Sequence, residues 1–136
     1  MQPSADCPFC HPERDPDQHV VFETQACRFL QHDREQDVLV GSGVIVPRAH
    51  RENAFALTSE EWLDTQLLLQ QAKAYIDERF HPAGYTLGWN VGLVSNQTIA
   101  HAHLHVLPRY ADEPYAGRGL RFWLKSSANR RSSLGV

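Results

Sequence analysis

The chain has 136 residues, 42% apolar and 21% charged, with a formal net charge of −3. That length allows one domain around one core, and the composition is that of an ordinary soluble globular protein. No apolar run approaches the roughly 18 residues of a membrane span, and the slightly acidic balance excludes a surface built broadly for nucleic acid.

The N-terminus, Met1-Gln2-Pro3-Ser4-Ala5-Asp6, lacks the basic stretch and apolar run of a secretory signal, which predicts a cytoplasmic protein. Cys7, Cys10 and Cys27 make an odd count, which argues against a disulfide framework in a reducing compartment. Residues 19–22 and 26–32 read as short strands, with residues 23–25 near the turn between them. Residues 33–37 are charged and read as a loop. Residues 43–46, β-branched and bounded by Pro47, read as a buried strand.

Residues 59 to about 80 carry the strongest helical signal. Thr58 and Glu61 have capping-box spacing. Trp62, Leu69 and Ile76 recur every seven residues, and Leu63, Leu67, Leu68, Ala72 and Tyr75 widen that stripe into a predicted core face. Pro82 and Gly84 would stop the helix. Residues 85–91 read as a strand, 92–97 as a loop and 98–107 as a strand ended by Pro108. The order predicts an α+β domain: an antiparallel sheet of about five strands with the helix on one face. The tail beyond Tyr110 has no clear pattern. From Arg109 onward six basic residues face two acidic ones, a local charge of +4, which suits either an anion-steering surface or a solvated tail.

His101, His103 and His105 alternate with Ala102, Leu104 and Val106. On an extended strand the three imidazoles share one face, spaced roughly 6.5–7 Å apart, and the apolar residues face the helix. Three readings stand side by side: wet surface histidines, a metal site, and covalent catalysis with one histidine as nucleophile. A metal needs ligands converging on one point, whereas phosphoryl transfer needs a nucleophile with donors spread over the equatorial oxygens. Separately, Cys7 and Cys10 have the C-x-x-C spacing that lets two thiolates reach one ion. A redox pair and two unrelated small residues are the alternatives, and the βαβ pattern expected around a redox pair is missing.

The run 101–107 resembles the His-φ-His-φ-His-φ-φ motif of the histidine triad (HIT) superfamily. Residues 44–50, Val-Ile-Val-Pro-Arg-Ala-His, are similar to that family's strand-Pro-basic-x-His segment, and Cys7-Pro8-Phe9-Cys10 resembles the C-x-F-C start of its zinc-containing bacterial members. The match covers roughly residues 7–110 of a single domain spanning 1–136. The resemblance implies a homodimer whose sheets join, and a purine nucleotide substrate cleaved at its α-phosphorus. His103 matches the nucleophile, and His101 and His105 its flanking histidines. Gln97 and Thr98 match residues that meet the phosphate or the leaving group. Asn90 matches a residue near phosphate and ribose, and Asp33 the carboxylate that holds the ribose hydroxyls. Asp33 to Pro47 is about one residue longer here than in many relatives. Cys7, Cys10, His50 and His101 match the ligands of a structural zinc, with His11 as a spare. The chemistry itself requires no cofactor.

These expectations favour hydrolysis of dinucleoside polyphosphates or nucleoside phosphoramidates over transfer, since no acceptor pocket is legible. A nucleotide-binding regulatory or scaffold module with incidental turnover is one alternative, and a metal-dependent hydrolase using the triad as ligands is another. If His101 ligates zinc, it is not a free general acid. Trp62 and Trp89 are expected in the core and Cys27 as a small buried hydrophobe. Trp123 suits either a ligand or a dimer contact, and Arg109 either a phosphate or a salt bridge.

Overall fold

The computed structural model describes residues 5–132. Five strands, β1 (Gln18–Glu23), β2 (Cys27–His32), β3 (Gly43–Pro47), β4 (Gly84–Trp89) and β5 (Leu104–Arg109), form one antiparallel sheet in the order β1-β2-β3-β5-β4. One long helix, α2 (Ser59–Phe80), crosses a single face of it. Two short α-helices, α1 (Asp33–Gln36) and α3 (Leu120–Leu124), and four 3-10 turns are the other helical elements among the described residues.

The period-two pleat sends alternate residues of the central strands to opposite faces. Phe29, Ile45, Leu104 and Val106 meet Leu68, Ala72 and Ile76 of α2 in the main core. Leu30 and Val46 point the other way and are covered by Cys7 and Phe9 from the N-terminal segment. Each such large apolar side chain contributes about 1.5–3 kcal/mol on burial. The N-terminal segment therefore covers part of the sheet face that α2 leaves open.

The helix begins and ends where the sequence places it. Thr58 Oγ1 accepts from Glu61 N at 3.2 Å while Glu61 Oε1 accepts from Thr58 N at 2.8 Å, a reciprocal capping box. His81 takes the left-handed conformation at the C-terminal end, ahead of Pro82.

Its buried face differs from the predicted stripe. Glu61, Thr65, Leu68, Ala72 and Ile76 face the sheet, while Trp62, Leu63 and Leu67 are exposed. Burial of Glu61 is compensated: Arg51 Nε reaches both its carboxylate oxygens at 3.0 and 3.1 Å. Thr65 returns its hydroxyl to Glu61 O at 2.7 Å. The helix is thus rotated towards two satisfied polar residues, and Trp62 leaves the core to meet Trp89 edge-on at 5.4 Å. Trp89 packs against the main core as partly buried surface.

Two other expectations are corrected. Residues 33–36 form α1 rather than a loop, because His32 Nδ1 accepts from Arg34 N and caps the turn. The last strand starts at Leu104 and runs through Pro108 to Arg109. Residues 98–103 are not strand. Their backbone bonds elsewhere: Ala102 N donates to Arg51 O at 2.7 Å and His101 N to Ile99 O at 2.8 Å. Among the described residues no helix is long and apolar enough to cross a membrane.

Candidate active site

His103 stands directly before β5, 7% exposed. Its Nδ1 lies 2.8 Å from the carbonyl of His101. A carbonyl only accepts, so Nδ1 carries the proton and Nε2 keeps its lone pair. Nε2 has no hydrogen-bond partner among the described residues. Burial lowers the His103 pKa, favouring the neutral ring that this tautomer requires. His105 packs against it edge-on, ring centres 4.9 Å apart, and burial followed by the nearby His103 lowers its pKa as well.

Both rings line a cavity of about 500 Å3 on the sheet face opposite α2. Its walls come from three places. Leu30, His32, Gly43 and Val44 belong to the central strands or their ends, and Thr98 and Ile99 to the segment before the triad. Pro8, Phe9 and Asp15 come from the N-terminal segment and Gln18 from the start of β1, with the Phe9 ring 4.9 Å from that of His103. Arg34 and Glu35 of α1 close the rim.

Cys7, Cys10, His50 and His101 form a second constellation, with ligand atoms all within 4.8 Å of one another. His101 is fully buried, and its Nε2 donates to Pro47 O at 2.8 Å. Its Nδ1 lone pair therefore faces Cys7 Sγ and Cys10 Sγ at 3.4 Å each and His50 Nδ1 at 3.2 Å. Cys10 Sγ is 3.2 Å from His50 Nδ1. Tetrahedral bonds of about 2.3 Å to sulfur and 2.0–2.1 Å to nitrogen place ligands roughly 3.3–3.8 Å apart, so the donor set fits one divalent ion. A ring nitrogen bound to a backbone carbonyl behind the ligating nitrogen is the usual outer-shell support. Desolvation takes the His101 pKa down to about 4, which keeps that ring unprotonated and ready to ligate. His11 stays outside the cluster and faces Glu13 at 3.4 Å.

The sequence-expected residues separate into two groups. Thr98, His103 and His105 come together at the cavity. Gln97 does not line it: its Oε1 accepts from Gly92 N, and its Nε2 donates to Glu52 O and Ile99 O, so the amide ties the 92–97 loop. Asn90 directly follows β4 and is not a lining residue. Asp33 also lies outside the lining and pairs with His19 at 2.9 Å. The carboxylates at the cavity are Asp15 and Glu35. Asp15 Oδ2 accepts from His32 Nε2 at 2.9 Å. The sequence offers no periodic signal for Asp15. Arg109 is fully engaged within the protein, and Cys27 is buried, its thiol pushed up to about 11 by desolvation.

The sheet order, the one long helix and the His-Ala-His-Leu-His run, with His103 and His105 at the cavity, define the class of protein. The chain belongs to the HIT domain family, whose family model matches residues 13–112. It is 32% identical over 72 residues to a bis(5'-adenosyl)-triphosphatase of Dictyostelium discoideum, an overlap of 53% of this chain and 48% of that protein. The chain spans about half the length of that relative and of the Bacillus subtilis protein it also matches. Among solved structures, a HIT family protein from Bacillus anthracis superposes with a TM-score of 0.71 and 29% identity, over 80% of this chain and 77% of that one. A Zn-bound histidine triad family protein from Mycobacterium smegmatis shares the fold, with a TM-score of 0.67 and 22% identity over 84% and 82% of the two chains.

Proposed function

We propose that this protein is a nucleotide hydrolase that cleaves at the α-phosphorus through a covalent nucleotidyl intermediate on His103. One observation carries the reading: the His103–His101 hydrogen bond fixes the proton on Nδ1 and leaves Nε2, without a partner among the described residues, on a ring that lines the cavity. The HIT family membership and the likeness to a dinucleoside triphosphatase support hydrolysis of a purine nucleotide.

In the first step Nε2 attacks phosphorus, an N–P bond forms, and the bond to the leaving oxygen or nitrogen breaks. A phosphate leaving group departs as an anion and needs no acid, whereas an amine takes up one proton, drawn from water in the open cavity. His105 and Thr98 border the same space and meet the developing charge on the phosphoryl oxygens. Water then attacks phosphorus, the N–P bond breaks with its electron pair returning to Nε2, and neutral His103 is restored; one water proton stays on the nucleoside monophosphate and the other passes to solvent.

The Cys7, Cys10, His50 and His101 set is proposed to hold zinc, which supplies a structural pin between the N-terminal segment and the triad. The fit of the donor distances supports it, as does the Zn-bound relative. This set draws only His101 from the triad, so His101 serves as ligand and not as general acid. A homodimer is proposed across β4, an outer strand on which Leu87 is exposed; Trp62 and Leu67 of α2 are exposed as well.

The test is mass spectrometry of samples quenched in alkaline denaturant during turnover of diadenosine triphosphate and adenosine phosphoramidate, with acid treatment of a second portion. An acid-labile nucleotidyl adduct on His103, and its loss with activity in His103→Ala while nucleotide binding persists, is the expected result. Appreciable turnover by His103→Ala defeats the scheme.

A further inference from the structure

The segment after Tyr110, patternless in sequence, builds a second cavity of about 490 Å3 against β4 and β5. Leu107 lines both this cavity and the catalytic one, so the two are neighbours on the same sheet face. Pro114, Tyr115, Leu120 and Trp123 wall it.

The wall is held firmly. All five N–H donors of Arg109 are used: Nε and Nη2 on the Glu113 carboxylate at 2.8 and 3.1 Å, Nη1 on Thr86 Oγ1 and Arg118 O at 3.0 Å each, and Nη2 also on Tyr115 O at 2.8 Å. Tyr110 OH anchors the start of the segment on Val40 O at 2.7 Å.

Arg118 is different. Its guanidinium lies 5.2, 5.3 and 5.8 Å from the ring centres of Tyr115, Phe122 and Trp123. Among the described residues it has no hydrogen-bond acceptor, so its donors stay open to an anion. Tyr115 and Trp123 are about half exposed, leaving ring surface for a planar group.

We propose that this cavity is the leaving-group subsite and takes the distal nucleoside of a dinucleoside polyphosphate, with the base against Tyr115 and Trp123 and Arg118 on the phosphate link. The proposal rests on the hydrolase reading above. Leu107 lies four positions along the chain from His103, roughly 13 Å at 3.3 Å per residue. A polyphosphate plus ribose reaches that far from the attacked phosphorus, and a bare amine or single phosphate does not. The net positive charge from Arg109 onward favours an anionic link.

The test compares two substrates that present the same adenylyl group. Trp123→Ala and Arg118→Ala are expected to lower kcat/KM for diadenosine triphosphate by roughly tenfold, in line with the loss of one stacked base. Turnover of adenosine phosphoramidate should stay within twofold of the parent protein. An equal fall for both substrates, or no fall, overturns the proposal. An equal fall together with loss of a dimer by light scattering assigns the aromatic wall to a second copy instead. If the parent turns over neither substrate, the hydrolase reading fails separately. Calorimetric binding of a methylene-bridged diadenosine triphosphate then decides the subsite: weakened in both variants it stands, unchanged it falls.

Discussion

His101 donates its Nε2–H to the carbonyl of Pro47 at 2.8 Å, and this one bond aims its Nδ1 lone pair at Cys7, Cys10 and His50. The neighbouring His101 carbonyl in turn accepts from His103 Nδ1. One residue thus joins the proposed metal cluster to the proposed nucleophile, by side chain on one side and backbone on the other.

A first prediction concerns that joint. The protein purified without chelator should carry close to one zinc per chain. Cys10→Ser should lose most of it and melt earlier; at this length each kcal/mol lost lowers Tm by roughly 3–5 °C. Nucleotide affinity should fall too, because Pro8 and Phe9 of the same segment wall the cavity. Elemental analysis showing no metal, in protein that is folded and binds nucleotide, would remove the zinc assignment.

The second prediction follows from the buried Glu61. Arg51 holds this carboxylate by its side chain and the triad segment by its carbonyl, which accepts from Ala102 N. Glu61→Ala leaves Arg51 without its partner and removes half of the capping box. The expected cost is roughly 2–3 kcal/mol, below the ~3–5 of a fully buried pair because Arg51 keeps some solvent. Glu61→Gln retains an acceptor for the Thr58 N–H and should lose less. Urea denaturation of both variants checks the order; equal stabilities would show that the retained acceptor contributes nothing and that loss of the charge accounts for the whole cost.

Glycine at 43 supports a third prediction. A Cβ there would lie 2.5 Å from Leu30 O and 2.6 Å from the Phe29 ring, and neither a central strand nor a core ring moves easily. Gly43→Ala should therefore destabilise by about 1–3 kcal/mol, as overpacking does. Since Gly43 also lines the cavity at His103 and His105, nucleotide binding should weaken. A melting temperature equal to the parent's contradicts the close approach.

The sheet, the long helix and the capping box are legible in the sequence because their signals are local: alternation, a 3.6-residue period and a four-residue motif. The rotation of α2 is not. Apolar periodicity favours Trp62, Leu63 and Leu67, and nothing local shows that Arg51 will neutralise Glu61 across the fold. The alternating histidines read as continuous strand, yet the backbone before Leu104 bonds to residue 51 and to itself. Of the expected site residues, Thr98, His103 and His105 share the cavity, whereas the Asp33 carboxylate turns to His19 once α1 starts at that residue. The cavity carboxylate Asp15 and the aromatic wall of the tail arise from long-range folding without any repeat to announce them.

The last prediction concerns acid. Arg109 holds the Glu113 carboxyl below the ordinary glutamate range, and Tyr110 N adds a further bond to it. A depressed carboxyl pKa means that the folded state binds this proton less readily than the unfolded chain. The contribution is fully present above the unfolded value of about 4.3 and is lost as pH falls through the lower folded value. The tail should therefore stay docked at neutral and mildly acidic pH and release only below the usual glutamate titration. Tryptophan fluorescence across that range should show a step, because Trp123 sits on the released segment. In Glu113→Gln the step should vanish, with Trp62 and Trp89 supplying the same background in both proteins. A step that persists in Glu113→Gln assigns the transition to another group and removes the Arg109–Glu113 pair as the latch.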